Sequence, residues 1–220
     1  MNILYQDEHL VVCVKPSGVL SQGDYKGRAN MPSLLSEFLG CEVFPVHRLD
    51  LEVSGVMVYA KTHDVAAKLS ALVSSHEDFR KEYLAVVEGV PSGNEEILED
   101  LLFHDVKRNK SFVVDKKRNG VKQAKLSYRV LDTMETDEGA RTLVRVRLYT
   151  GRTHQIRVQF ASRGLPLVGD RRYGAQKTED GMALCSCHLS FRHPITGEEI
   201  SCEYYPQTLA SFLGLAEKSN

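Results

Sequence analysis

Between Lys81 and Thr150 lie three strand-patterned runs. "KEYLAVVEGV" is rich in β-branched and aromatic residues and is closed by Pro91 and Gly93. "AKLSYRVL" and "RTLVRVRLYT" come next, parted by the acidic turn Glu135 to Gly139. "ILYQDEHLVVCVKP" reads as a hairpin around Gln6, Asp7 and Glu8, "SGVMVYAKT" as a further strand, and "ALCSCHLSF" with "EEISCEYY" as a late hairpin around "HPITGE". Helices are predicted over Pro32–Gly40, with proline at the start and glycine past the end, and over Asp64–Ser75. In the second, Val65, Leu69, Leu72 and Val73 share one face. Two more are predicted, from near Thr153 to near Gly164 and over the C-terminal "QTLASFLGLA", with "EKSN" as a frayed tail. Strands dominate, and regular βαβ alternation is missing. The expected class is therefore α+β, with a large mixed, mostly antiparallel sheet and flanking helices.

The 220 residues, 42% of them hydrophobic, suffice for one domain with an ordinary packed core. No apolar run approaches the roughly 18 residues of a membrane span, and "MNILYQDEHLVVCVKP" lacks the pattern of a signal peptide. Five scattered cysteines, an odd number, favour reduced thiols in a cytoplasmic protein. Cys185, Cys187 and His188 form a C-x-C-H cluster, but a tetrahedral zinc site needs about four ligands and no second pair lies near; buried small residues in a strand is the better reading.

Net charge is −1, so a globally basic nucleic-acid footprint is absent. Locally, however, the segment 104–129 carries nine Lys and Arg against two acids, Asp105 and Asp115. It reads either as a solvated hairpin face or as a phosphate-contacting surface.

Two stretches could carry chemistry. In "PVHRLDLEVSG", an extended backbone would put Arg48 and Asp50 on one side and Leu49 in the core, and Ser54–Gly55 would turn the chain into "VMVYA". In "TGRTHQIR", Thr153 is positioned to cap a helix on which Arg157 shares a face with Val158 and Ala161. An arginine on an apolar face wants a carboxylate partner, and Asp50 is a candidate. Tyr83, in "RKEYLAVVEG", is by itself an ordinary strand tyrosine.

The succession "KPSG", "HRLDLEVSG", "KEYLAVVEG", "TGRTHQIRVQF", "GLPLVGDRRYG" and "HLSFRHPITGE" resembles the RluA-like family of pseudouridine synthases, from about Ile3 to Tyr205. The resemblance implies a pseudouridine synthase catalytic domain over 1–220, with a central active-site cleft; an S4-type domain before the motifs is not expected from the sequence. It implies Asp50 as nucleophile, Tyr83 as the ring against the target base and a candidate proton acceptor, and Arg157 as the partner of the aspartate. Arg48 is associated with RNA binding and with holding the target nucleotide out of the stack. His47, Lys81, Arg152 and His154 are further candidate RNA contacts, as are Lys116 and Lys117 of the basic segment. The implied partner is structured RNA, ribosomal or transfer, with a monomeric enzyme, no cofactor and no metal. Val53 stands where the family usually has threonine, and Gln159 where histidine is usual. A catalytically silent RNA-binding relative acting as an RNA chaperone is the alternative. A hydrolase using His154 or His188 with Ser54 lacks a G-x-S-x-G elbow.

Overall fold

The N-terminal hairpin forms where its pattern puts it: β1 (Ile3–Gln6) pairs antiparallel with β2 (Leu10–Lys15). Asp7 closes the turn, its carboxylate accepting from the backbone N–H of His9 and of Leu10 at 2.7 and 2.8 Å. The computed structural model describes residues 1–75, 78–178, 181–206 and 209. The helix expected over "QTLASFLGLA" and the tail "EKSN" lie outside the described residues, Leu209 excepted.

The chain divides into two compact units. The first comprises Met1–Lys81 and Cys185–Tyr205. Here β2 pairs antiparallel with β4 (Ser54–Ala60), which also carries the two-residue β3 (Phe44–Pro45). Strand β10 (Leu184–Arg192) joins β4 in parallel and β11 (Glu199–Glu203) antiparallel, so the sheet is mixed. Helix α1 (Met31–Leu39) begins at Asn30, whose side chain accepts from the Ser33 N–H, and ends at Gly40 in the left-handed conformation at φ 69°. These are the start and stop signals the sequence carries. Helix α2 (His63–Ser75) buries Val65 and Leu69 against Val56, Val58, Phe79 and Phe191.

The second unit spans Glu82–Leu184. Strand β5 (Phe79–Glu88) runs into it, and the strand order is β5, β9 (Gly139–Leu148), β8 (Val121–Thr136), β6 (Glu95–Asp105), β7 (Lys110–Val114). Neighbours from β9 to β7 are antiparallel. Strands β6 and β7 escape a sequence pattern search because five acids in β6 and the basic run mask the alternation. Helix α3 (Gln155–Ala161) lies on one face, with Phe160 against Tyr128 and Val158 against Leu102 and Ala124. It is shorter than predicted. The residue flanking its start is His154, at φ 56°, and not Thr153, whose carbonyl accepts from the Ser111 hydroxyl at 2.6 Å. A left-handed residue cannot be part of a right-handed helix, so the helix starts at Gln155.

The fold is α+β with a large mixed, mostly antiparallel sheet, as the pattern predicts. Among the described residues no helix is long and apolar enough to cross a membrane. Cys185 and Cys187 are buried in β10, where burial pushes the Cys185 thiol up to about 11.

Candidate active site

In the first unit the stretch Val46–Val53 is a loop; only Phe44 and Pro45 before it are strand. The extended geometry considered for "FPVHRLD" therefore stops short of Arg48 and Asp50. Leu49 is buried, as expected, whereas Arg48 is exposed and Asp50 half-buried. What fixes the loop is "KPSG" and the serine just beyond it. The Ser21 hydroxyl donates to the Leu49 carbonyl at 2.8 Å and accepts the Leu49 N–H at 2.9 Å. Immediately after Asp50, the Leu51 carbonyl accepts from the Gly18 N–H at 2.9 Å and the Lys15 ammonium at 3.2 Å. The Ser17 hydroxyl donates to the Glu52 carbonyl at 2.9 Å, and the Val53 N–H turns back to the Asp50 carbonyl.

Lys15 is fully buried and also donates to the carbonyls of Pro16 and Val19 at 2.9 and 2.8 Å. Burial lowers its pKa to about 8, and the Asp50 charge opposes that fall. At neutral pH an ammonium thus sits beside the loop that carries Asp50. Val53 is 2% exposed, a position an apolar side chain suits. Gly55 has φ +123°, and a Cβ there would lie 2.2 Å from the Ser186 carbonyl oxygen. The glycine of "HRLDLEVSG" therefore permits the parallel approach of β10 to β4.

His47 and Lys81 are placed inside this unit. His47 Nε2 accepts the Val58 N–H at 3.2 Å, and its ring meets Phe79 edge-on at 5.7 Å. Burial, aided by the positive Lys81, drives its pKa down to about 3, so it is a neutral acceptor at physiological pH. Lys81, 6% exposed, has its ammonium 5.6 Å from the Phe79 ring centroid, and burial lowers its pKa.

In the second unit Tyr83 is buried on β5. Its neighbour Glu82, pointing the other way along the strand, accepts from Arg145 Nε at 2.5 Å. Arg157, on α3, makes a bidentate pair with Asp170: Nε to Oδ2 at 2.7 Å and Nη2 to Oδ1 at 2.8 Å, with side chains 3% and 1% exposed. Its guanidinium carbon stands 5.2 Å from the centroid of Tyr173. The Tyr173 hydroxyl accepts the Ser111 N–H at 2.8 Å and meets His154 Nδ1 at 3.0 Å. So "TGRTHQIR", "GLPLVGDRRYG" and β7 are tied together through Asp170 and Tyr173, two residues that sequence reasoning quoted within a motif and gave no role. A separation of 13 residues matches no periodicity, so the sequence carried no signal for this pair.

Gln155 locks the turn before α3, accepting from the Thr150 hydroxyl and the Arg152 N–H and donating to the Lys125 carbonyl. Gln159, fully buried, donates to Asp100 at 2.6 Å and thereby fastens α3 to β6. Arg152 is half-exposed and donates to the Gln123 carbonyl, and His154 is buried. Lys116 and Lys117 are exposed on the β7–β8 connection. The basic segment is partly neutralised by β6: Lys125 pairs with Glu99 at 2.6 Å, and Arg129 lies opposite Glu95. Among the described residues no group of three or more His, Cys, Asp or Glu is arranged to hold a metal ion.

Comparison with known proteins gives the family of the chain. The family model for RNA pseudouridylate synthase matches residues 9–162. The chain is 38% identical to the ribosomal large subunit pseudouridine synthase D of Pseudomonas aeruginosa, over 92% of this chain and 67% of that one. It is 34% identical to an RNA pseudouridine synthase of Aquifex aeolicus, over 99% and 73%. The human RNA pseudouridylate synthase domain containing 4 shares the fold, with a TM-score of 0.78 at 23% identity, covering 98% of this chain and 92% of that one. The chain belongs to the RluA-like family of RNA pseudouridylate synthases, isomerases that act on RNA.

Proposed function

We propose that this enzyme converts specific uridines of structured RNA, ribosomal or transfer, to pseudouridine, with Asp50 as the nucleophile. The reaction breaks the bond between ribose C1′ and uracil N1, turns the base, joins C1′ to C5, removes the C5 proton and leaves N1 protonated. Atoms and oxidation state balance without a redox partner. A carboxylate that forms a covalent adduct and later leaves splits this change into easier steps. It must be ionised to do so, and positive charge nearby favours that form. The observation that carries the assignment is the clamp on the Asp50 loop, in which the buried Lys15 ammonium and the Ser21 hydroxyl grip the carbonyls of Leu51 and Leu49 on either side of Asp50. A nucleophile on a loop needs such support to stay within reach of its target atom.

The family resemblance supplies the remaining roles. Tyr83 stacks on the detached uracil and is the candidate acceptor of the C5 proton. Arg157 stabilises the aspartate, and its own orientation is fixed by Asp170. Arg48 holds the flipped nucleotide. Extruding a base costs a few kcal/mol, which phosphate contacts from Arg152, Lys116 and Lys117 offset. The enzyme acts as a cytoplasmic monomer.

The test is Asp50→Asn, which keeps size and removes the charge. The variant is expected to bind substrate RNA while forming no pseudouridine, read by chemical mapping of the modified base. Turnover at the wild-type rate would refute the nucleophile. RNA binding without turnover by the wild-type chain, on every RNA of cells lacking the gene, would favour the chaperone reading.

A further inference from the structure

The sheet of the second unit has two unlike faces. Leu98, Leu102, Ala124, Leu126, Tyr128, Val144 and Val146 are buried on the face that α3 covers. Side chains alternate along each strand, and directly paired residues share a face. The opposite face therefore carries Phe103, Phe112, Lys125, Ser127, Arg129 and Arg147. It is open: Arg129 and Arg147 are exposed, and the Lys125 side chain is 44% exposed. Antiparallel sheets commonly leave one face in water, and such a face is ordinarily polar.

This one interleaves rings with cations. Tyr149 has Arg147 Cζ 5.0 Å and Lys125 Nζ 5.8 Å from its ring centroid, and its hydroxyl accepts from Ser127 at 3.3 Å. Phe103, half-buried and paired with Phe112, has Arg118 Cζ 4.8 Å from its centroid. Tyr149 lies beside Lys125 and Ser127, whereas Phe103 lies opposite Val121, four to six residues along β8. At about 3.3 Å per residue the rings are offset by roughly 13–20 Å along the strands, far enough to serve different nucleotides. The acids Glu95, Glu99 and Asp105 on this face are outnumbered by Lys110, Arg118, Lys125, Arg129 and Arg147. Rings that offer a π-face beside cations suit a strand whose bases are unstacked and whose backbone is anionic.

We propose that the open face of β6, β8 and β9 is a binding platform for single-stranded RNA flanking the target, with bases stacked on Tyr149 and Phe103 and phosphates met by Arg118, Lys125 and Arg147. The proposal rests on the reading that the substrate is RNA. It is tested with the full chain by fluorescence anisotropy, using a labelled single-stranded oligouridine and an RNA duplex as probes. Tyr149→Ala and Phe103→Ala are each expected to weaken oligouridine binding about 5- to 150-fold. Tyr149→Phe retains wild-type affinity, and duplex binding falls far less. Arg147→Ala flattens the salt dependence of binding by about one phosphate contact. Circular dichroism confirms that each variant is folded. Unchanged oligouridine affinity in Tyr149→Ala and Phe103→Ala, or equal losses for duplex and single strand, overturns the platform. If the wild-type chain binds oligouridine through these rings yet forms no pseudouridine, the catalytic reading fails and the platform stands. If pseudouridine forms while the ring variants bind normally, the reverse holds, and the face is left for a protein partner.

Discussion

Replacing Asp170 by alanine should destabilise the protein more than most single changes. The carboxylate is 1% exposed and accepts two guanidinium N–H groups at 2.7 and 2.8 Å from Arg157, itself 3% exposed. Breaking a buried pair from one side costs about 3–5 kcal/mol, because the remaining charge loses its counter-charge while staying out of water. Native domains are stable by only about 5–15 kcal/mol, so the midpoint of urea unfolding, followed by circular dichroism, should fall by a large fraction. Asp170→Asn keeps the shape and one acceptor and should lose less. The double variant Arg157→Met with Asp170→Leu removes both charges and should recover most of the loss, since replacing a buried pair by apolar groups is often close to neutral. A loss under about 1 kcal/mol for Asp170→Ala would mean that the pair is not what holds Arg157, and the positioning role given to Asp170 would be withdrawn. A double variant no better than the single would refute the electrostatic account and leave packing against Tyr173 in its place.

Gly55→Ala meets the Ser186 backbone at 2.2 Å with φ +123°, and should cost about 3 kcal/mol or more or prevent folding; Gly197→Ala, at φ 75° with open space around it, should cost only about 1 kcal/mol. His47 binds a proton more readily unfolded, at about 6.5, than folded, at about 3. Stability should therefore be lost as pH falls through this window, by up to about 5 kcal/mol, and His47→Gln should flatten that limb of a urea-unfolding series. Charge reversal at Lys116 and Lys117 should weaken RNA binding and lower its salt slope by about one per lysine; an unchanged slope returns this connection to an ordinary solvated loop.

Local chemistry made much of this protein legible in advance. The pairing of β1 with β2 and of β10 with β11 follows from apolar runs around turn residues, and α1 from Asn30, Pro32 and Gly40. The motif order pointed to the family, and the matched residues 9–162 bear that out. Partners far apart in the chain were not legible. Asp170, Tyr173 and the Gln159–Asp100 bond involve residues 13 to 62 positions apart, and no periodicity links them. The packing of His47 and Lys81, two residues that read as cations for RNA, around Phe79 also had to come from the fold, because the surroundings and not the residue type lower both pKa values. Sequence periodicity determined which segments are strands and helices, since it acts through neighbours a few residues away. The tertiary structure alone decided which charges are paired, which are buried, and which face of a sheet stays open, because each depends on groups that meet only once the chain has folded.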